Sequence, residues 1–249
     1  MTSAVVRAFP QPERFNLVSY AFPSFEDGYR AIAALRSTGI RPGMIDYGEE
    51  TPYEHGSSEL NLAYDGLDGE VESQLKATEP VMSAHAGQRL GEEQAREFWD
   101  HRHDIALMYS RRISKKLPAE EPLTKYDYIH LSLPASRILE CRGEILRIAR
   151  AGNVNVLEVG LWHGPELLSL VLSSRATDAK SASRKLWRVS NIIIRHAQDW
   201  GGSMEFCHGV GLKLAHLMER EHGLGLDIMR HLKKTIDPLG IMNPGKQSI

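Results

Sequence analysis

Cysteine is scarce: the 249 residues hold two, Cys141 and Cys207. Two thiols build neither a disulfide framework nor a four-thiolate zinc site, and they fit a reducing compartment. No run of 18 apolar residues occurs, so no segment reads as a membrane span. The opening Met-Thr-Ser-Ala-Val-Val-Arg-Ala-Phe9 lacks the apolar stretch of a secretory signal. An excess of one charge is also missing. Lys and Arg total 30 against 32 Asp and Glu, which leaves no broad positive field for nucleic acid and no acidic tail. There is no internal repeat or low-complexity run, no GxGxxG after a strand and no GxxxxGK[ST], so the common nucleotide-binding loops are excluded. What remains is ordinary: hydrophobic residues at 42% and charged residues at 25% suffice for a real core. The expectation is a soluble cytoplasmic protein.

Local pattern supplies the elements. Phe15–Phe22 is aromatic and β-branched and reads as a strand closed by Pro23. Ser24 then caps a helix, with Asp27 reaching back, and Gly39 ends it. Glu59–Tyr64 alternates as a half-buried strand. A helix is expected from Asp68 to about Ala86, kinked near Pro80, and another from Glu92 carrying Phe98, Trp99, Ile105 and Met108. Ile129, Leu131 and Leu133 alternate with Tyr128, His130 and Ser132 as a one-sided strand. A helix follows to about Ala151, then strands near Val154–Leu161 and Leu167–Leu172, then a helix over Asp178–Gln198. Leu226, Met229, Leu232 and Ile236 mark one face of a last helix, which Asp237-Pro238 stops. One-sided strands in this order predict an α+β fold: an antiparallel sheet flanked by helices, ending in a helical segment and an irregular tail.

Two linked segments carry a resemblance. Gly201-Gly-Ser-Met-Glu-Phe-Cys-His-Gly-Val-Gly211 is followed by Asp237-Pro-Leu-Gly-Ile-Met-Asn-Pro-Gly-Lys246. Together they resemble the GG…EHGxG and DPxGxxNPGK patterns in the C-terminal domain of FAD-linked oxidases of the vanillyl-alcohol-oxidase type. That superfamily includes D-2-hydroxyacid dehydrogenases, glycolate oxidase subunits and alkyldihydroxyacetonephosphate synthase. Ala21–Gly28, Leu62–Gly66, Trp99-Asp-His-Arg102 and Lys125–Pro134 are similar to further family segments. The resemblance implies a cap or substrate-binding domain over residues 1–200 and a flavin-contacting segment over 201–249. It also implies FAD as cofactor, with the FAD-binding domain expected as a separate domain or subunit that this chain lacks.

The resemblance assigns roles residue by residue. Arg102 is the expected anchor for a substrate carboxylate, because a guanidinium fork matches a carboxylate with two hydrogen bonds; a solvated helix arginine is the plain reading. His208 is the expected base, against a loop histidine that caps local carbonyls. Gly209 and Gly211 would let backbone approach the flavin ring, and the Asn243 amide would hydrogen-bond its heteroatoms; a turn residue before Pro244 is the alternative. Lys213 and Lys246 are candidates for cofactor phosphate or substrate charge, with plain solvent exposure the commoner case. At Cys207 the sequence departs from the pattern: metal-using members carry Glu there and the synthase His. The metal-ligand motif HxxDGNxH is also missing, its place taken by Glu158-Val-Gly-Leu-Trp-His-Gly-Pro165, so no metal is expected.

The leading expectation is an FAD-dependent oxidoreductase acting on a small polar or anionic substrate such as a 2-hydroxy acid, with Arg102, His208 and Asn243 brought to one surface. A transferase like alkylglycerone-phosphate synthase is the alternative, and a non-catalytic binding module the third.

Overall fold

The computed structural model describes residues 3–50, 52, 58–104, 107 and 123–246. Two compact units emerge: residues 1–48 with 56–117, and residues 49–55 with 118–249. Residues 201–249 belong with the second unit.

The first unit grows from period-two patterning in β1 (Arg14–Phe22), where Val18, Tyr20 and Phe22 are all buried. Ser24 caps α1 (Phe25–Ser37) by accepting the Asp27 N–H at 3.1 Å, and Asp27 in turn accepts the Ser24 hydroxyl at 2.6 Å. There follow β2 (Met44–Glu50), whose last two residues group with the second unit, then β3 (Ser58–Gly66) and α2 (Asp68–Ala84). Pro80 lies inside α2. A two-residue β4 (Gln88–Arg89) and α3 (Glu92–His101) complete the unit. Its strands run antiparallel in the order β4-β1-β3-β2. Tyr47 of β2 is fully buried, and its hydroxyl donates to the Phe25 carbonyl at 2.9 Å. The expected helix positions Ile105 and Met108 lie outside the described residues.

The second unit holds β5 (Thr124–Ser132), α4 (Ile138–Ala151), β6 (Asn155–Trp162), β7 (Leu167–Arg175) and α5 (Ala179–Asp199). After these come the short α6 (Met218–His222) and α7 (Leu224–Ile236). The strands are antiparallel in the order β6-β7-β5. α5 packs on β5 and β7, and α4 on β6 and α5. The core between them is Ile129, Leu131, Leu168, Leu170, Leu172, Ile145, Leu186, Val189 and Ile193, all buried. Each such side chain stabilises the unit by roughly 1.5–3 kcal/mol.

The α+β antiparallel architecture is as the sequence predicts. Two strands, β2 and β4, were not expected. In β2 Met44, Ile45 and Tyr47 are followed or interrupted by Asp46, Gly48, Glu49 and Glu50, so no run of alternation forms, and β4 is two exposed residues laid on β1. The last helix also differs. Of its expected core face only Leu226 is buried, while Leu232 and Ile236 are exposed, together with Ile228 and Leu224.

The tail after α7 is tied down by one carboxylate. Asp237, 7% exposed, accepts the N–H groups of Ile241 at 3.0 Å and Met242 at 2.9 Å and pairs with Lys233. The Lys233 ammonium, and then these N–H groups, hold the Asp237 carboxyl below the ordinary carboxylate range. A depressed carboxyl contributes stability that is complete above its unfolded value, about 3.9, and is lost as pH falls through its lower folded value. The tail is therefore expected to loosen only below pH ~4, whereas Asp237→Asn should loosen it at neutral pH. Amide exchange at Ile241 and Met242 reads this directly; equal protection in the variant and the parent would refute it.

Candidate functional site

The site begins where α5 ends. Gly201 turns the chain at φ +77, and Ser203 then bridges to the end of β5. Its N–H donates to the Ser132 carbonyl at 2.7 Å, and the Ser132 N–H donates back at 3.3 Å. Gly202 permits this approach: a Cβ there would stand 2.6 Å from the Ser132 carbonyl oxygen and 2.9 Å from that of Ala197. The bridge lays the segment carrying Glu205 and His208 beside His130, two residues back along β5.

His130 is 1% exposed. Its ring meets Trp162 at 5.0 Å, Phe206 edge-on at 5.7 Å and His208 at 4.6 Å between centroids. The Nδ1 atoms of His130 and His208 are 3.3 Å apart, and His130 Nδ1 is 3.8 Å from Glu205 Oε1. Glu205 Oε1 also accepts the N–H groups of Cys207 at 2.7 Å and His208 at 2.9 Å. Burial pushes the Glu205 carboxyl up, but His130 and the two N–H groups outweigh it, so the group sits below its usual value and is ionised at neutral pH. Cys207 is exposed, with its sulfur 3.9 Å from His208 Nε2. Burial and then the Glu205 charge push its thiol up. It therefore does not supply as a thiolate the negative charge that Glu would bring at this position.

Of the residues singled out in the sequence, Gly211 and Asn243 come together. Both line a cavity of about 470 Å³ with Lys233, Ile236, Met242 and Lys246. Gly209, Gly211 and Asn243 all have positive φ, at +76, +53 and +46. Lys213 is engaged elsewhere: it pairs with Asp127 and donates to the Tyr128 carbonyl at 3.0 Å. Glu158 is not in this cluster; burial, then Glu50, pushes its carboxyl up. Arg102 belongs to the first unit, directly after α3. Its guanidinium lies 3.4 Å over the Trp99 ring and donates to the Trp99 carbonyl. Among the described residues it forms no ion pair.

His130 and Glu205 were not picked out from the sequence. The alternation in β5 put His130 on the polar side of a one-sided strand, and the structure corrects this, because segment 203–208 covers that side as well. Glu205, two residues before Cys207, gave no signal of its own.

Solved structures share this fold. Alkyldihydroxyacetonephosphate synthase superposes with a TM-score of 0.65 at 15% identity, over 95% of this chain and 45% of that one. p-Cresol methylhydroxylase superposes with a TM-score of 0.65 at 13% identity, over 96% and 54%. The α+β fold of this chain is thus one that makes up about half of each of those two solved chains. The chain matches the family model of FAD linked oxidases, C-terminal domain, over residues 11–247, and belongs to that family. It is 24% identical to the probable mitochondrial D-lactate dehydrogenase of Danio rerio, across 99% of this chain and 50% of that protein. The chain spans about half the length of the curated relatives it matches. No described helix is long and apolar enough to cross a membrane.

Proposed function

We propose that this chain is the substrate-side part of an FAD-dependent oxidoreductase acting on a small anionic substrate of the 2-hydroxy-acid class. The observation that carries the reading is the cavity shared by Gly211 and Asn243, in a chain whose family is defined by FAD linkage. FAD fits the residues there. Two positive-φ positions, one of them glycine, leave backbone open to a flat ring. The Asn243 amide can both donate and accept, and Ile236 and Met242 provide apolar lining. Gly209, Gly211 and Asn243 would hold the cofactor, which when bound accepts the hydrogen and electrons leaving the substrate carbon.

The remaining work falls to the chain's side chains. His208 takes the hydroxyl proton. Its Nδ1 faces His130, so Nε2 is the nitrogen left for substrate. By its likeness to the family's Trp-x-x-Arg segment, Arg102 is assigned to a carboxylate, with its guanidinium face supported by the Trp99 ring. The exposed apolar positions Ile228, Leu232, Ile236, Ile241 and Met242 support a separate FAD-binding domain or subunit as the partner. A reducing, cytoplasmic setting suits the free, exposed Cys207.

The test combines the chain with an FAD-binding domain of the same family and follows flavin absorbance under anaerobic 2-hydroxy acid. Bleaching that needs both parts is the expected result, with the chain alone taking up little FAD. Tight stoichiometric FAD on this chain alone, or product formed from an acyl-dihydroxyacetone phosphate without any electron acceptor, would overturn the reading.

A further inference from the structure

We propose that the groove between α4 and α5, within the second unit, is a binding site for a ligand that carries clustered phosphate groups. The groove is a hollow of about 600 Å³ lined by Arg147, Arg184, Lys185 and Arg188. Among the described residues no acid lines it. None of its lining residues belongs to the cavity at Gly211 and Asn243, so the inference stands apart from the proposed reaction.

The sequence concentrates charge at this place. The whole chain has a net charge of −2, yet α5 holds Lys180, Arg184, Lys185, Arg188 and Arg195 against a single acid, Asp199. That acid ends the helix and pairs with Arg220. Arg184 and Arg188 lie one helical turn apart with Lys185 beside them, and like charges at that spacing destabilise a helix. Among the described residues neither Lys185 nor Arg188 forms an ion pair. Arg184 donates to the Ser181 hydroxyl at 3.2 Å. Asp178, just before α5, has its two oxygens on the Ser181 N–H and hydroxyl. Arg147 pairs with Glu144, but its side chain is 67% exposed, and a pair so open to water yields readily to a competing anion.

Packing gives the charge a hollow to surround. Gly152, directly after α4, is pressed against α5: a Cβ there would stand 2.3 Å from a methyl of Val189. Ile148 and Val189, both buried, and Ile192 supply apolar lining. The end of α4 brings carbonyl oxygens, which disfavour an anion. Those of Ile148, Ala149 and Arg150 already accept the N–H groups of Gly152, Val154 and Asn153. The side chains therefore set the sign of the site.

The kind of cation sets the kind of ligand. A guanidinium fork matches phosphate oxygens with paired hydrogen bonds, and a lysine adds a point charge. A lone carboxylate would engage one of the four cations and leave the others opposed. Two or three phosphates in one compact group would engage them together. The volume lies within the usual range for small-ligand sites, about 300–1,000 Å³, and leaves room for an apolar body over Ile148 and Val189. Such a group belongs either to a soluble phosphate compound or to a lipid headgroup.

The whole chain, titrated in a calorimeter with inorganic tripolyphosphate at low salt, should bind one anion per chain, more weakly as salt is added. Arg184→Gln with Arg188→Gln should weaken binding about tenfold or more, through the loss of two charge-assisted hydrogen bonds. Lys180→Gln with Arg195→Gln removes the same charge from the same helix outside the groove, and should change affinity by less than about threefold. All four positions are exposed, and circular dichroism checks that both variants fold. Vesicles of phosphatidylcholine and phosphatidylglycerol separate the two sources of phosphate. Retention on them that tripolyphosphate reverses places the group on a lipid; tripolyphosphate binding without retention places it on a soluble molecule. Absence of saturable tripolyphosphate binding, or equal weakening in the two double variants, would overturn the assignment.

Discussion

His208→Ala, in the chain combined with an FAD-binding domain of the same family, is expected to slow substrate oxidation by about 10²–10⁴-fold. Substrate affinity should change far less. The expectation follows from how the imidazole is held. Its Nδ1 is against His130, its backbone N–H is tied to Glu205, and its Nε2 faces outward beside Cys207. Removing the ring takes away a proton acceptor without removing a group that holds the substrate carboxylate. A loss of this kind falls on kcat and kcat/KM together. Anaerobic single-turnover bleaching separates the chemical step from product release. A loss smaller than about threefold, well below the usual contribution of a positioned base, would take His208 out of the chemistry. It would leave the cavity at Asn243 as a binding site with its base elsewhere.

Gly202→Ala is expected to cost about 1–3 kcal/mol, the range for forcing a methyl into a closed space. The reason is the identity of the atoms it would meet. The Cβ would press on two carbonyl oxygens, of Ser132 and Ala197, and on Leu133, at 2.6–2.9 Å. Backbone at the end of β5 and α5 cannot swing aside as a surface side chain does. The Tm should fall by roughly 2–4 °C per kcal/mol for a chain of this size. The damage should also be local. The Ser132–Ser203 bridge opens first, and with it the placement of Glu205 and His208 against His130. Gly143→Ala is the matching control. It lies exposed within α4 with nothing within 4 Å of its would-be Cβ, so it should gain up to about 1 kcal/mol from helix propensity. Equal melting temperatures for the two variants would show that the close approach at Gly202 is not what seats the return segment.

Elements with a local cause could be read from the sequence. The Ser24 cap announces α1, and Ser24 does accept the expected N–H; Asp178, read only as the start of a helix, caps α5 by accepting the Ser181 N–H. Aromatic and β-branched composition announces β1, and alternation announces β3 and β5. β2 was hidden because its seven residues include Asp46, Gly48, Glu49 and Glu50, and its place beside β3 is decided by pairing across the sheet. The site shows the same division. The positive-φ glycines and Asn243 follow from motifs whose backbone demands are local. His130 is buried by a segment more than 70 residues away in sequence, so no window around it could reveal its neighbours. Arg102 was picked out as a carboxylate anchor, and the structure adds that its guanidinium face stacks on Trp99, three residues earlier. That contact has helical spacing and was legible, had Trp99 been read as a partner and not only as part of a motif.

The face of α7 has a practical consequence for anyone handling the chain by itself. Ile228, Leu232 and Ile236 follow one another at four-residue steps, and Leu239, Ile241 and Met242 extend the strip into the tail. With a net charge of only −2 there is little electrostatic repulsion to keep two such strips apart. Preparations of the lone chain should show light scattering that grows with concentration and with added sulfate, which strengthens apolar association. Co-expression with the proposed FAD-binding partner should clear it. Yield of monodisperse material thus becomes a simple readout of whether a candidate partner is the right one.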